Sequence, residues 1–248
     1  MVLPEAKQLR GAAQVVYARP DAILPRVERQ VLLDHLAESE RARHDRFHFD
    51  SDRDAYLVAH ALTRCVLATA ACVAPRDLDF AIGDRGKPEV CGPAAALDLR
   101  FNLSHTRGLV ACAVTHALVI GVDVERVDRR VDLLPVARHV FSEREVAGLT
   151  ALSGEAQRLR FFELWTLKEA YVKAIGKGLA GPLRAITFAP DGPDPVPVHF
   201  AAEAADDARA WCFRRHALAD GFRLAVALRA AAPAAASFSE ASVEDLRV

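Results

Sequence analysis

The sequence lacks the features of several common structural classes. Its five cysteines are an odd number and include no Cys-x-x-Cys pair, which argues against a disulfide framework and a four-thiolate zinc site. No run reaches the roughly 18 uncharged apolar residues of a membrane helix, and the N-terminal segment lacks the continuous apolar stretch of a secretion signal. We therefore expect a soluble protein in a reducing cytoplasm.

An excess of charge of one sign is also missing. The 32 lysines and arginines nearly balance the 33 aspartates and glutamates, which leaves a formal net charge of -1. No field of the whole molecule then attracts nucleic acid or an anionic membrane surface. We expect neither among the partners, and any anion-binding site has to be local.

Two familiar phosphate and nucleophile motifs are absent. A P-loop lysine is followed by serine or threonine, whereas Gly86-Lys87-Pro88 and Gly176-Lys177-Gly178 place proline and glycine there. A serine hydrolase needs Gly-x-Ser-x-Gly, but Ser104 lies between Asn102 and Thr106. The sequence therefore favours neither class.

Hydrophobic residues make up 52% of the 248 positions, enough for one large domain or two small ones. Periodicity predicts two helices within 26–74 and one helix each over 131–152 and 156–178. The second of these segments contains a capping box, and glycines stop the third. Strands are predicted at 97–103, 109–114, 117–124, 185–188, 196–200, 211–215 and 222–228. The first three strands suggest a β-meander, and the fold class is α+β.

Helices followed by strands occur twice along the chain, which predicts two halves of similar build. We place the N-terminal half at 1–118, the C-terminal half at 119–230 and a short tail at 231–248, after a linker rich in alanine and proline.

Two acids lie close together on a strand-like run. In Gly121–Glu125, Asp123 and Glu125 alternate with valines, so both carboxylates project from one face of a strand. Such a pair at the end of an apolar strand favours a hard divalent cation such as Mg²⁺. A strand end that simply meets solvent is the other interpretation.

A second pair of charges lies on a helix rich in aromatic residues. Glu169 and Lys173 are four residues apart and are therefore neighbours on one helix face. The preceding Phe161, Phe162 and Trp165 indicate a largely buried helix, in which a charge needs a purpose. The acid could complete a metal site and the lysine could neutralise a phosphate. An ordinary surface ion pair is the alternative.

Two further segments carry groups that suit phosphate oxygens. Ser104 and His105 follow a strand-like run and enter a predicted turn, where a serine that only caps the turn is the alternative. Residues 38–49 contain several arginines, and a solvated helix face is the alternative there.

Together these segments resemble the 4'-phosphopantetheinyl transferases of the surfactin type. The resemblance rests on Gly86-Lys87-Pro88, on Phe-Asn-Leu-Ser-His at 101–105, on Gly-Val-Asp-Val-Glu at 121–125 and on the Trp-Thr-Leu-Lys-Glu-Ala segment that begins at Trp165. These motifs occur in matching order over about residues 40–190. The Trp-x-x-Lys-Glu-Ala form is similar to that of one subgroup of the family.

The resemblance implies transfer of the phosphopantetheine arm of coenzyme A to a serine of an apo acyl-carrier or peptidyl-carrier protein, with release of adenosine 3',5'-bisphosphate. It implies a cytoplasmic, monomeric enzyme whose two similar α/β halves form a pseudo-dimer, with the active site in the cleft between them. The N-terminal half would bind coenzyme A and the C-terminal half would hold the metal. The carrier would serve fatty-acid or secondary-metabolite synthesis.

The resemblance also assigns residues. Asp123, Glu125 and Glu169 would hold Mg²⁺, and Lys173 would contact the phosphate beside the reacting bond. We interpret Glu169 as the group that takes the serine proton, directly or through a metal-bound water, and Lys173 as the group that stabilises the departing bisphosphate. A Glu169 that serves only as a metal ligand is the alternative. Coenzyme A would be bound by Arg43, Gly86, Lys87, Asn102, Ser104, His105 and Lys173.

One position departs from the family pattern. Glu40 stands where a second lysine can occur, so the 3'-phosphate would be contacted by Arg43 or instead by Arg41 or Arg46. A separate segment, residues 131–141, combines apolar groups with the nearby cations Arg129, Arg130, Arg138 and His139, which suits an acidic, partly apolar carrier helix. Packing of this amphipathic segment on its own core is the alternative.

Two other functions fit the same residues. One is a Mg²⁺-dependent hydrolase that cleaves the pyrophosphate of coenzyme A with water as nucleophile. The other is a module that binds coenzyme A or a carrier protein without catalysis.

Overall fold

The computed structural model describes residues 6–83, 87–176, 182–218, 220–230, 235–242 and 244–247. The chain divides into two compact units, the first made of 1–118 with 235–248 and the second of 119–234. Each unit contains helices and mainly antiparallel strands around a hydrophobic core of its own. The predicted α+β class is confirmed.

The first unit contains a run of helices followed by strands. Its helices are α1 (Pro20–Ile23), α2 (Arg29–His35), α3 (Glu38–His44) and α4 (Asp50–Ala71). Its strands are β1 (Ala12–Ala18), β2 (Asp79–Ile82), β3 (Pro88–Cys91), β4 (Leu99–Thr106) and β5 (Leu109–His116).

The second unit begins with a strand, and its helices follow. Its strands are β6 (Val119–Arg126), β7 (Ile186–Phe188), β8 (Val198–Phe200), β9 (Trp211–Leu218) and β10 (Phe222–Arg229). Its helices are α5 (Leu133–Val140), α6 (Glu143–Thr150) and α7 (Gly154–Ile175). A last strand, β11 (Ala235–Glu240), returns to the first unit.

In the first unit the main sheet has the strand order β11-β1-β5-β4. Strand β5 is antiparallel to both β1 and β4, and β11 is parallel to β1. Helix α4 packs on β5 and β4, where Leu57, Leu62 and Val66 are fully buried. The C-terminal segment therefore belongs to this sheet, whereas the sequence placed 231–248 in a separate tail.

In the second unit the main sheet has the order β6-β10-β9, with antiparallel neighbours. Helix α7 packs on β6 and β10. Both units contain the same succession: a short helix, a helix of 22 residues, a 3₁₀ turn, a two-stranded hairpin and two strands of the main sheet. The strand order β1-β5-β4 corresponds to β6-β10-β9.

Capping side chains divide the predicted helices. The predicted helix 131–152 is two helices, because Ser142 and Glu145 form a capping box that starts α6. The Ser142 N–H donates to Glu145 Oε2 over 2.8 Å, and Glu145 N–H donates to Ser142 Oγ over 3.3 Å. In the region 26–74 the prediction of two helices was also wrong. Glu40 accepts from the Ala37 N–H over 2.9 Å and starts the separate helix α3.

Two strand predictions were wrong as well. Strand β1 was not predicted, and β6 does not continue a meander from β5 because it pairs with β10, about a hundred residues later in the chain. The strands predicted at 185–188, 196–200, 211–215 and 222–228 are confirmed as β7 to β10. Gly176 ends α7 with φ +68°, as predicted, and Gly178 lies outside the described residues.

Candidate functional site

Helix α7 lies directly on β6 because Gly121 has no side chain. A Cβ at this position would lie 2.1 Å from the Ala170 carbonyl oxygen and 2.4 Å from the Ala174 nitrogen, so only glycine allows this approach. Side chains alternate along a strand, so Gly121, Asp123 and Glu125 share the face that α7 covers. The close contact places the polar side of α7 beside the two acids of β6.

The acids of β6 are buried rather than exposed at a strand end. Asp123 is 5% exposed and Glu125 is 9% exposed. The Lys173 Nζ donates to Asp123 Oδ1 over 2.6 Å, and an Arg129 guanidinium nitrogen donates to Glu125 Oε1 over 2.5 Å. Two cations therefore face two buried carboxylates at one end of the second unit's sheet.

Glu169 completes this group electrostatically. Burial first, and then the charges of Asp123 and Glu125, raise the pKa of Glu169 against the lowering effect of Lys173 and Arg129, and the net pKa is about 7. Burial, and after it Asp123, also raises the pKa of Glu125 against the lowering effect of Arg129 and Lys173. The three carboxylates thus influence one another, and Glu169 is suited to exchange a proton near neutral pH.

The donor chemistry of this group fits a hard divalent cation. Carboxylate oxygens are the preferred protein ligands of Mg²⁺. After burial, the charges of Asp123 and Glu125 also raise the pKa of Glu169, and a cation would offset this repulsion. Across the described ranges, no set of three or more His, Cys, Asp or Glu side chains has an arrangement that could hold a metal. The acids instead contact Lys173 and Arg129.

Sequence reasoning missed a buried ion pair beside this group. Lys168 Nζ lies 2.8 Å from Glu145 Oε2, and both side chains are 2% exposed. Lys168 immediately precedes Glu169 on α7. The apolar residues around it, Leu167 and Tyr171 among them, were the signal that this lysine is buried.

Arg43, which the sequence predicts to bind the 3'-phosphate, is exposed on α3. It lines a cavity of about 720 Å³ together with Arg46. Arg41 instead donates from Nε to the Leu36 carbonyl over 3.1 Å. Glu40, which stands at the position of a possible second lysine, lies 2.6 Å from Arg64 Nε. Of the alternatives for the 3'-phosphate, Arg46 is the one beside Arg43.

The predicted turn at Ser104 and His105 is wrong, because β4 continues to Thr106. Asn102 and Ser104 therefore share one face of the strand, and His105 projects from the other. Ser104 is buried, whereas His105 is exposed and lines a separate cavity of about 560 Å³ in the first unit.

The predicted lysine turn is described only in part. Lys87 is half-buried at the start of the β3 segment, and its carbonyl accepts from the Gly83 N–H over 2.9 Å. Gly86 lies outside the described residues.

No helix in the described part of the chain is long and apolar enough to cross a lipid bilayer.

Two protein-family models match consecutive parts of the chain. The model of the 4'-phosphopantetheinyl transferase superfamily matches residues 119–227. The model described as 4'-phosphopantetheinyl transferase, N-terminal, matches residues 25–117. The division between the two matches coincides with the start of β6.

Individual relatives agree with these models. The chain is 36% identical to the 4'-phosphopantetheinyl transferase HetI of a Nostoc species over 63% of this chain and 66% of that protein. It is 32% identical to a putative 4'-phosphopantetheinyl transferase of a Synechocystis species over 61% of each chain. The chain therefore spans slightly less than two thirds of the length of these relatives.

A solved structure and a third relative complete the comparison. A holo-[acyl-carrier-protein] synthase of Thermotoga maritima superimposes with a TM-score of 0.35 at 24% identity, over 46% of this chain and 64% of that chain. The 4'-phosphopantetheinyl transferase Sfp of Bacillus subtilis is 31% identical over 66% of this chain and 70% of its own length. With both family models matching in succession, the chain belongs to the 4'-phosphopantetheinyl transferase superfamily.

Proposed function

We propose that the protein transfers the 4'-phosphopantetheine arm of coenzyme A to a serine of an apo acyl-carrier or peptidyl-carrier protein. Adenosine 3',5'-bisphosphate is the second product. Membership of the superfamily supports this reaction. The observation that carries the proposal is the pair of buried acids Asp123 and Glu125 with the half-buried Glu169 and Lys173, beside the close contact of α7 with β6.

Glu169 takes the proton of the carrier serine in this proposal. A general base works best when its pKa lies near the working pH, and burial together with Asp123 raises the pKa of Glu169 to about 7. Near neutral pH a substantial fraction of Glu169 is then ionised and able to accept a proton. The serine oxygen attacks the phosphorus while the bond to the bisphosphate breaks.

Lys173 stabilises the negative charge on the phosphate oxygens. Its ammonium group lies 2.6 Å from Asp123 Oδ1, and its side chain keeps 28% of its surface accessible. Asp123 therefore fixes the ammonium group, and the accessible part is available to a phosphate.

Mg²⁺ is part of the proposal. Asp123, Glu125 and Glu169 are not arranged as a metal site in the described structure and would have to come together around the ion, for which all three offer oxygen ligands and whose charge would offset their mutual repulsion. When bound, the ion neutralises charge on the pyrophosphate of coenzyme A.

The first unit supplies the remaining contacts to coenzyme A. We assign the 3'-phosphate to Arg43 with Arg46, because both are exposed beside one cavity. Lys87, Asn102, Ser104 and His105 are assigned to coenzyme A on the strength of the sequence motifs. The proposal retains the surfactin-type subgroup, the pseudo-dimer, the monomeric state and the cytoplasmic location that the resemblance implies.

The carrier protein is assigned to the exposed side of α5. Leu133 and Leu134 are half-buried and pack against the core of the second unit, which favours the structural interpretation of these two residues. Arg138 and His139 are exposed on the same helix and suit an acidic carrier helix. Arg138→Glu should raise the KM for the carrier and leave the KM for coenzyme A unchanged.

Intact-protein mass spectrometry of an apo carrier domain tests the proposal. The carrier is incubated with the protein, coenzyme A and Mg²⁺, and free bisphosphate is quantified in the same reaction. We expect the carrier to gain the mass of one phosphopantetheine arm for each bisphosphate released. EDTA and a Ser→Ala carrier should each abolish the gain.

Two results would contradict the transferase. Bisphosphate released without any change in carrier mass would indicate a hydrolase. Intact coenzyme A across acyl-carrier and peptidyl-carrier domains, together with measurable binding of either, would indicate a binding module.

A further inference from the structure

Each unit contains one cation buried in its 22-residue helix and paired with the acid of a short helix. We call Arg64 with Glu40 the first clamp and Lys168 with Glu145 the second clamp. Arg64 and Lys168 occupy the same position in α4 and α7, counted from the first helical residue. Both cations are about 2% exposed at the side chain.

The first clamp joins three segments of the first unit. Glu40 Oε2 accepts from Arg64 Nε over 2.6 Å and from the Ala37 N–H over 2.9 Å. The Arg64 guanidinium also donates to the carbonyls of Pro75 and Leu78 over 2.8 and 3.0 Å. Helix α3, which carries Arg43, is thereby attached to α4 and to the turn that precedes β2.

The second clamp repeats these connections in the second unit. Glu145 binds the Ser142 N–H at the start of α6, and Phe188 N–H donates to its other oxygen over 2.9 Å. Lys168 Nζ donates to the carbonyls of Leu183 and Ile186 over 2.8 and 2.6 Å. As in the first clamp, the two carbonyls are three residues apart and flank a 3₁₀ turn.

We propose that the two clamps are positioning devices with separate effects on the reaction. The second clamp fixes the rotation of α7 and so holds Glu169 and Lys173 against Asp123. The first clamp fixes α3 and so holds Arg43 for the phosphate of coenzyme A. This inference rests on the proposed function for the roles of the positioned groups.

Burial energetics support a positioning role. Replacing a buried ion pair by uncharged groups of similar volume is often neutral or stabilising, so stability alone gives no reason to bury both pairs. The clamps instead provide directional hydrogen bonds to three segments each, which fix one geometry. Each clamp acts on a helix whose charged side chains the proposed reaction uses.

Matched double variants separate the two effects. Glu145→Gln with Lys168→Met removes the second clamp, and Glu40→Gln with Arg64→Met removes the first, without leaving a lone buried charge. Circular dichroism checks that both fold, and steady-state transfer to the carrier gives kcat and the KM for coenzyme A. Lys168→Arg and Arg64→Lys, which keep the charges, serve if a double variant does not fold.

We expect a split between kcat and KM. Loss of the second clamp should lower kcat by about 100-fold with little change in the KM for coenzyme A, because misplaced reacting groups cost that much. Loss of the first clamp should raise the KM about tenfold at nearly constant kcat, the effect of one weakened charged contact. Equal changes in kcat and KM for both variants, or none, would overturn the proposal.

A second measurement does not depend on activity. A carbodiimide that couples carboxylates to amines in direct contact should join Asp123 to Lys173 in the wild type, and mass spectrometry of the peptides gives the yield. The yield should fall at least several-fold without the second clamp and stay unchanged without the first. Equal yields would refute the positioning of Lys173 even if the protein showed no transferase activity, whereas inactivity with this pattern intact would refute only the proposed function.

Discussion

The two units have the same order of elements and the same clamp, but among the residues that the structure describes only the second unit contains a group of carboxylates around two buried acids. Strand β6 carries Asp123 and Glu125, and α7 carries Glu169 and Lys173 after its clamp residue. Strand β1 has no acidic or basic residue other than Tyr17, and α4 has no charged residue after Arg64. The corresponding parts of the first unit are filled with apolar side chains.

This difference separates what the fold needs from what the chemistry needs. Val16, Ala18 and Cys65 of the first unit are all fully buried, so a strand and a helix of this arrangement form a stable core without charge. Burying several carboxylates together costs free energy. The second unit sustains that cost, as expected for a site that performs chemistry.

The largest expected effect comes from neutralising one acid of β6. Asp123→Asn removes the negative charge that pairs with Lys173 and belongs to the carboxylate group, so transfer to the carrier should fall about 10³-fold. Asp206→Asn is the control, since Asp206 is also nearly buried in the second unit but accepts from the Tyr171 hydroxyl. Equal losses in kcat for the two variants would show that any buried charge of this unit matters equally.

Replacing the cation of each clamp shows how much that clamp contributes to the free energy of unfolding in each unit. Lys168→Met leaves Glu145 buried and uncompensated and should lower the free energy of unfolding by about 3 to 5 kcal/mol. Arg64→Met should cost less, because the Glu40 side chain is 16% exposed and His60 also contacts it. Urea denaturation at pH 7 measures both. A larger loss for Arg64→Met would contradict the account of the clamps.

Gly121→Ala tests the close contact of α7 with β6. The new methyl group would overlap the backbone of α7, so we expect a loss of about 1 to 3 kcal/mol in the free energy of unfolding and reduced transfer. Gly148→Ala is the matched control, because an added Cβ there meets no atom within 4 Å. Because Gly148 is exposed in the interior of α6, this variant should be neutral or slightly stabilising. Similar losses would show that glycine itself, and not the contact, is responsible.

The smallest effect is a dependence of stability on pH. The pKa of Glu169 is raised from 4.5 to about 7 on folding, so its favourable contribution exists below pH 4.5 and is lost as the pH rises through 7. In EDTA at pH 8, Glu169→Gln should therefore be more stable than the wild type by about 1 to 2 kcal/mol after allowance for solvent screening. The two proteins should unfold alike near pH 4.5. Equal stability at both pH values would contradict the raised pKa.

Local sequence patterns predicted the acids of the site. They could not predict contacts between residues that are far apart in the chain. The alternation around Asp123 and the helical spacing of Glu169 and Lys173 are local signals. Most of strand β1 is buried, and its sequence does not alternate between apolar and polar residues. It therefore lacks the alternating pattern from which strands are predicted. The pairing of β6 with β10 and the contact of Glu145 with Lys168 depend on residues far apart in the chain.

The most direct test of the central claim combines function and stability in one variant. Asp123→Asn, Glu125→Gln and Glu169→Gln together give the second unit an uncharged β6 face like that of the first. The account predicts a folded protein, at least as stable as the wild type in EDTA at pH 8, that transfers no phosphopantetheine to an apo carrier by intact mass. Transfer within tenfold of the wild-type rate would contradict the assignment of the reaction to these carboxylates.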